Sequence, residues 1–145
     1  MTVEHVIQMH IDAGRVHTAL VEAARWGEIG MLTELLDQGV PIEARSETGS
    51  TALMLAASGG QTDVVKLLLG RGADVNARDD NRGRTALMWC LAALHSEKVY
   101  LTIVRMLIDA GAKVDVAAND GRAAIDFART RESQALLDVL ESAGV

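Results

Sequence analysis

An all-α solenoid of stacked helix-turn-helix units, joined by short β-hairpin or loop fingers, is the fold this sequence predicts, and three observations predict it. The segment TALMLAASGG at 51–60 is echoed by TALMWCLAAL at 85–94, and self-similarity at a fixed period marks a repeat architecture. Two independent landmarks keep nearly the same step: the apolar anchors Leu20, Leu53, Leu87 and Ile125 are spaced by 33, 34 and 38 residues, and Gly39, Gly72, Gly111 and Gly144 by 33, 39 and 33. Composition is the third. With 49% hydrophobic but only 3% aromatic residues, the core must be built from Ala, Leu, Val, Ile and Met, which suits close-packed helices better than an aromatic-rich β-sandwich.

A single domain accounts for 145 residues, a length that buries a continuous core without metal or disulfide staples. The elements follow in order. The first unit, 1–16, reads as an N-terminal capping helix over about residues 3–13: IDAG at 11–14 copies the IDAG at 108–111 that ends a later helix, and RVH is all that remains of a finger. An end unit needs such a cap because its outer face has no neighbour. Residues 17–48 form a first repeat, 49–81 a second, 82–119 a third with an insertion, and 120–145 a C-terminal capping repeat.

The second repeat shows the pattern most clearly. Residues 51–57 start a short helix, Gly59 and Gly60 interrupt it, and TDVVKLLLGRG forms a second helix closing on Gly72. Thr62 or Asp63 is expected to cap that helix, and Val64, Val65, Leu67, Leu68 and Leu69 to supply its apolar stripe. The following ADVNARDDNRGR is too rich in Asp, Asn, Gly and Arg to pack as a helix and suits a turn or hairpin. The third repeat has five extra residues between Leu87 and Leu107 around LHSEKVY, expected to lengthen the turn between its helices, and its preceding finger, RDDNRGR, has one extra.

Charge and motif content exclude several function classes. A formal charge of -6 repels phosphate polyanions, which argues against nucleic acid. No stretch approaches the roughly 18 consecutive apolar residues that span a bilayer, and the start, MTVEHVIQMHIDAGRV, has neither a basic n-region nor an unbroken apolar run. The lone Cys90, set in an apolar run, reads as a small buried hydrophobe in a reducing compartment, so the expected location is cytoplasmic. His5, His10, His17 and His95 fall neither in i, i+4 pairs nor beside the cysteine, so no zinc site is expected. Asp79 and Asp80 lie in a polar finger, where solvated turn chemistry is commoner than acid-base catalysis. The glycines recur with the repeat and need no phosphate loop to explain them. No catalytic constellation and no cofactor site emerges.

The stretch TALMLAASGGQTDVVKLLLGRGADVNARD resembles an ankyrin repeat, and the likeness continues as TALVEAARWGEIGMLTELLDQGVPIEAR before it and as TALMWCLAALHSEKVYLTIVRMLIDAGAKVDV and AAIDFARTRESQALLDVLESAG after it. It covers residues 17–145. Ala19, Ala52, Ala86 and Ala124 stand where the family has proline at the first helical position. Met54, Met88 and Asp126 stand where it has His, so the family's Thr-to-His hydrogen bond between neighbouring repeats is missing. The resemblance also makes Asn76, in LLLGRGADVNA, similar to a site of asparaginyl hydroxylation in animal cells.

What the resemblance implies is protein binding through the concave face formed by the fingers and first helices. Carried onto this chain, the contact positions are Glu47, Thr48 and Ser50 in one finger; Asp80, Asn81, Arg82 and Arg84 in the next; and Asn119, Asp120 and Arg122 in the third. The first-helix ends add Arg25, Trp26, Ser58 and Gly59, then Leu94 and His95 near the insertion, and Thr130 with Arg131. Trp26 has two readings, an exposed aromatic anchor beside Arg or a ring folded back onto the N-terminal helix. Tyr100, in the insertion, is open between surface and core, whereas Trp89 sits at a core position. Residues 77–145 hold nine bases against ten acids, residues 1–76 only five against ten. Arg84 with Arg122, and Arg45 with Arg78, occupy equivalent finger positions; they form either a basic ladder for an acidic partner or salt bridges to Glu47, Asp79, Asp80 and Asp120. The expected function is a non-catalytic, monomeric module that binds one partner protein, as an inhibitor or immunity-type protein neutralising an enzyme or toxin. An adaptor using LHSEKVY as a second surface, or an enzyme with a site in the groove, are the competing readings.

Overall fold

The computed structural model describes residues 1–144, which contain nine helices and no strand. In chain order they are α1 (Val3–Asp12), α2 (Val16–Trp26), α3 (Ile29–Asp37), α4 (Ala52–Ser58), α5 (Thr62–Gly70), α6 (Ala86–Ala92), α7 (Glu97–Asp109), α8 (Ala124–Arg129) and α9 (Gln134–Gly144). The helices pair as α2–α3, α4–α5, α6–α7 and α8–α9. First helices stack in the order α2, α4, α6, α8, with α1 packed on the outer side of α2, and the second helices α5, α7 and α9 pack in sequence behind them.

One apolar core runs the length of the stack. Leu20, Leu87, Val65, Leu68, Ile103, Leu107 and Leu136 are fully buried, and so are Ala23, Ala24, Ala56 and Ala57 on the first helices, whose small side chains let neighbouring helices approach. Burial between units is what holds a solenoid together, since one helix pair leaves both its sides apolar.

Four local features differ from the sequence expectation. The turn between α1 and α2 is not a finger remnant: after Gly14, with φ at 78°, Val16 and His17 already form the first turn of α2. Neither Thr62 nor Asp63 caps α5. Gln61 holds the cap position without a side-chain bond, and Asp63 sits in the first turn, where a carboxylate favours the helix dipole. The extra residues of the third unit go mainly into helix, α7 having 13 residues against 9 in α5. The hydroxyl of Ser96 accepts from the backbone N–H of Val99, and Glu97 lies in the first turn, so LHSEKVY starts a helix where a longer turn is expected. Finally, the fingers are tight turns, with a single isolated bridge between Arg45 and Thr51.

The missing His of the repeat motif is replaced locally. Thr51 Oγ1 accepts from the Met54 N–H at 3.4 Å while the Met54 thioether receives the Thr51 N–H at 3.4 Å. In the last unit Asp126 Oδ2 receives the Ala123 N–H at 2.9 Å. Both arrangements satisfy backbone donors at a helix start that would otherwise be orphaned.

Candidate functional site

Each finger closes on one backbone hydrogen bond across its base: Ser46 N–H to Ser50 O at 3.0 Å, Asp79 N–H to Arg84 O at 2.9 Å, and Ala118 N–H to Arg122 O at 2.8 Å. Gly49 and Gly83 take left-handed φ of 80° and 66° at the tips, which any side chain would strain. They also leave room for the next finger, since a Cβ on Gly49 would meet Asp80 and one on Gly83 would meet Asn119. Asp80 N–H reaches Gly49 O at 3.1 Å and Asn119 N–H reaches Arg82 O at 2.9 Å, so the fingers are sewn together along the stack.

Three rows of side-chain bonds reinforce that stitching. Along the fingers, Arg45 donates to Gly49 O at 3.0 Å and to Arg78 O at 2.7 Å, and Arg78 repeats the pattern one unit on, to Gly83 O at 3.0 Å and Ala117 O at 2.5 Å. At the ends of the first helices, Gln61 Nε2 donates to Arg25 O at 3.2 Å, the His95 ring bonds Ser58 O at 2.5 Å, and Arg131 donates to Leu91 O at 2.6 Å and to Ala93 O. In the turns that follow the second helices, the Asn76 amide donates to Gly111 O at 3.0 Å and accepts the Lys113 N–H at 2.8 Å, so the carboxamide considered for hydroxylation is bonded at both ends.

Asp79 is the centre of the second finger. Expected to be solvated, it is instead 5% exposed, and it accepts from the backbone N–H groups of Asn81, Arg82 and Arg84 and from the indole Nε1 of Trp89 at 3.0 Å. Burial alone would raise its pKa. The bonds from Arg82, Trp89, Arg84 and Asn81 outweigh that and hold the carboxyl below its ordinary value. The core position assigned to Trp89 is only partly buried, because the ring reaches out to this carboxylate.

Several of the sequence-predicted contact residues are brought together between α6 and α8. Arg84, Leu94, Arg122, Thr130 and Arg131 line one depression of about 440 Å³ with Leu91, Ala92 and Phe127. Phe127, absent from the sequence expectation, is its floor: the Arg84 and Arg122 guanidinium groups lie 5.0 and 4.4 Å from its ring centroid. Arg122 also bonds Asp120 at 2.8 Å, and the Asp120 carboxyl is lowered from its ordinary value by the backbone and side-chain hydrogen bonds of Arg122. Leu94, at 91% exposed, stands at the rim.

The other predicted positions scatter. Glu47, Thr48, Asp80 and Asn81 cluster at the two finger tips and line a second depression, with Asp80 paired to Arg45 at 3.3 Å. Arg82 and Asn119 are exposed beside them. Ser50 is 3% exposed at the base of its finger, where its backbone closes the turn, and is not available to a partner. Tyr100 is 5% exposed, because the extra turn of α7 carries it into the core. Ser58 and His95 are half-buried and bonded to each other across the repeat boundary. Trp26 combines its two readings: 51% exposed, it bonds Glu22 at 3.1 Å, lies under Arg25 and borders an apolar cleft with Met1, Val3 and Val6 of the N-terminal segment.

Among the described residues, no group of His, Cys, Asp and Glu side chains is arranged to hold a metal ion, and no helix is long and apolar enough to cross a membrane. A family model described as ankyrin repeats, in three copies, matches residues 2–79 and 20–120. No curated protein matches the chain significantly.

Proposed function

The chain belongs to the ankyrin-repeat family, whose members are generally protein-protein interaction modules, and on that premise we propose that it binds one partner protein across the finger face and acts by covering that partner's surface, as an inhibitor of an enzyme or toxin does. The observation that carries this reading is the stitching of the face. Arginines, amides and backbone groups bond each unit to the next along both the finger row and the first-helix ends. A surface held in this way gives up little conformational entropy when it docks, and that preorganisation adds to affinity. Side chains exposed for contact on this face include Thr48, Asn81, Arg82, Leu94, Asn119 and Arg122, with Arg84 half-buried between them. The LHSEKVY segment contributes Leu94 to this same face, ties His95 back to Ser58 O, caps α7 with Ser96 and enters that helix at Glu97, which favours one partner over an adaptor with two.

Capture from the native cell tests the proposal. A protein should co-purify with the wild-type chain and with Lys66→Trp on the exposed side of α5, and be lost with Thr48→Trp and with Asn81→Trp at the finger tips. Retention of the partner by both finger-tip variants, or loss with Lys66→Trp alone, refutes the assigned face.

A further inference from the structure

The depression between α6 and α8 carries a charge unlike that of the molecule around it. On a chain of formal charge -6, it is lined by three guanidinium side chains and no carboxylate. Arg131 gives its Nε and Nη2 to the Leu91 and Ala93 carbonyls, and Arg122 gives its Nε to Asp120. Arg84 has no such outlet. Its Nε is buried without an acceptor, and it enters no ion pair among the described residues. Burial, then repulsion from Arg82 and Arg122, push its pKa down, and Asp120 and Asp79 offset only part of that.

The Nη groups of Arg84 are neither buried nor bonded, and a carboxylate reaching them supplies the missing counter-charge in a geometry that suits a planar guanidinium. Leu94 adds a specific neighbour, a large apolar side chain 91% exposed at the rim. Resting on the partner-binding reading above, we propose that this depression takes an acidic segment of the partner protein, an Asp or Glu carboxylate meeting Arg84 and Arg122 and an adjacent aliphatic side chain covering Leu94. The buried Phe127 ring lies within 5.0 Å of both guanidinium groups, an apolar neighbour beside which a charged hydrogen bond is stronger than in open solvent.

A fluorescein-labelled peptide of alternating glutamate and leucine, titrated into the full chain and followed by anisotropy, tests this. The glutamine-leucine counterpart and inorganic phosphate as competitor are the comparison arms. The acidic peptide should bind at least tenfold tighter than its glutamine counterpart. Arg84→Gln and Arg122→Gln should each weaken it about tenfold, and Leu94→Ala severalfold, while Arg105→Gln on the exposed side of α7 leaves it unchanged; circular dichroism melting checks that each variant folds. Equal binding of the glutamine peptide, indifference to both arginine variants, or full displacement by millimolar phosphate overturns the proposal. The two readings fail separately: a chain that ignores the acidic peptide while Asn81→Trp still abolishes partner capture loses the acidic occupant and keeps the finger face.

Discussion

The indole Nε1 of Trp89 donates to Oδ2 of Asp79 at 3.0 Å, fastening the first helix of the third unit to the finger that precedes it. The same carboxylate gathers three backbone N–H groups of that finger, so one side chain sets the shape of the loop that presents Arg82 and Arg84.

Asp79→Asn replaces an acceptor by a donor facing other donors and should lower stability by about 2 kcal/mol at neutral pH. The carboxyl is held below its ordinary value of about 3.8 in the folded state, so its contribution is fully present above that value and is lost as pH falls through the lowered folded one. Urea unfolding of wild type and variant at pH 7 and pH 3 should therefore show a gap that narrows at the acid end. A gap independent of pH removes the carboxylate from the account.

Two glycines separate backbone freedom from steric fit. Gly59 has ordinary helical angles, φ -78° and ψ -5°, yet a Cβ there would strike the Arg25 carbonyl of the preceding unit. Gly59→Ala should destabilise by roughly 2 kcal/mol or more, since backbone cannot step aside as a flexible side chain can. Gly30 lies inside α3, where an added Cβ would meet nothing within 4 Å, and it should become more stable as alanine by about 0.5–1 kcal/mol. Thermal melts of both variants decide the matter.

The paired threonines at the starts of α4 and α6 should respond oppositely. Thr51 caps its helix through Oγ1, and Thr51→Val should cost about 1 kcal/mol. Thr85 has the same extended backbone, but its buried hydroxyl has no partner, so Thr85→Val should gain about 1 kcal/mol by removing an unsatisfied group. Chemical denaturation midpoints that move the same way for both variants would contradict this.

Cys90 is wholly buried, and its thiol is pushed up to about 12 by burial, with Arg131 opposing weakly. Because the thiolate is the reactive form, a maleimide should leave the native chain unlabelled at pH 8 and modify it only as the core opens. Labelling rate against urea concentration should then follow global unfolding. Rapid labelling in buffer would mean that the α6–α7 boundary opens locally.

The architecture is written plainly in the chain because a solenoid repeats its packing, and Leu20, Leu53 and Leu87 recur at the step of the helix pairs they bury. Ends of elements are harder. The added turn of α7 has a readable signal, Ser96 followed by Glu97 and then Val99, Tyr100, Ile103, Val104 and Leu107 at helical spacing, but a count of inserted residues does not say whether they lengthen loop or helix. Contact positions are legible by repeat register, which is how Arg84, Leu94, Arg122 and Arg131 are anticipated. What register cannot supply is the bond from one unit to another. Arg45, Arg78, His95 and Arg131 read as surface groups and prove to be internal ties, and Phe127 gains its place in the depression from arginines 43 and 5 positions away in the chain.

The ties at the first-helix ends bear on how freely such a chain could be rebuilt from its parts. Gln61, His95 and Arg131 do one job with three different reaches, and each is matched to the carbonyls that the unit before it offers. The third unit, whose α6 ends at Ala92 and leaves the Leu91 and Ala93 carbonyls to be bridged together, is met by the only one of the three with a forked cation. Shuffling the order of the units would thus mismatch tenon and mortise along this row, even though the Arg45 and Arg78 ties of the fingers are alike, and would make the array a sentence with fixed word order rather than a string of interchangeable beads.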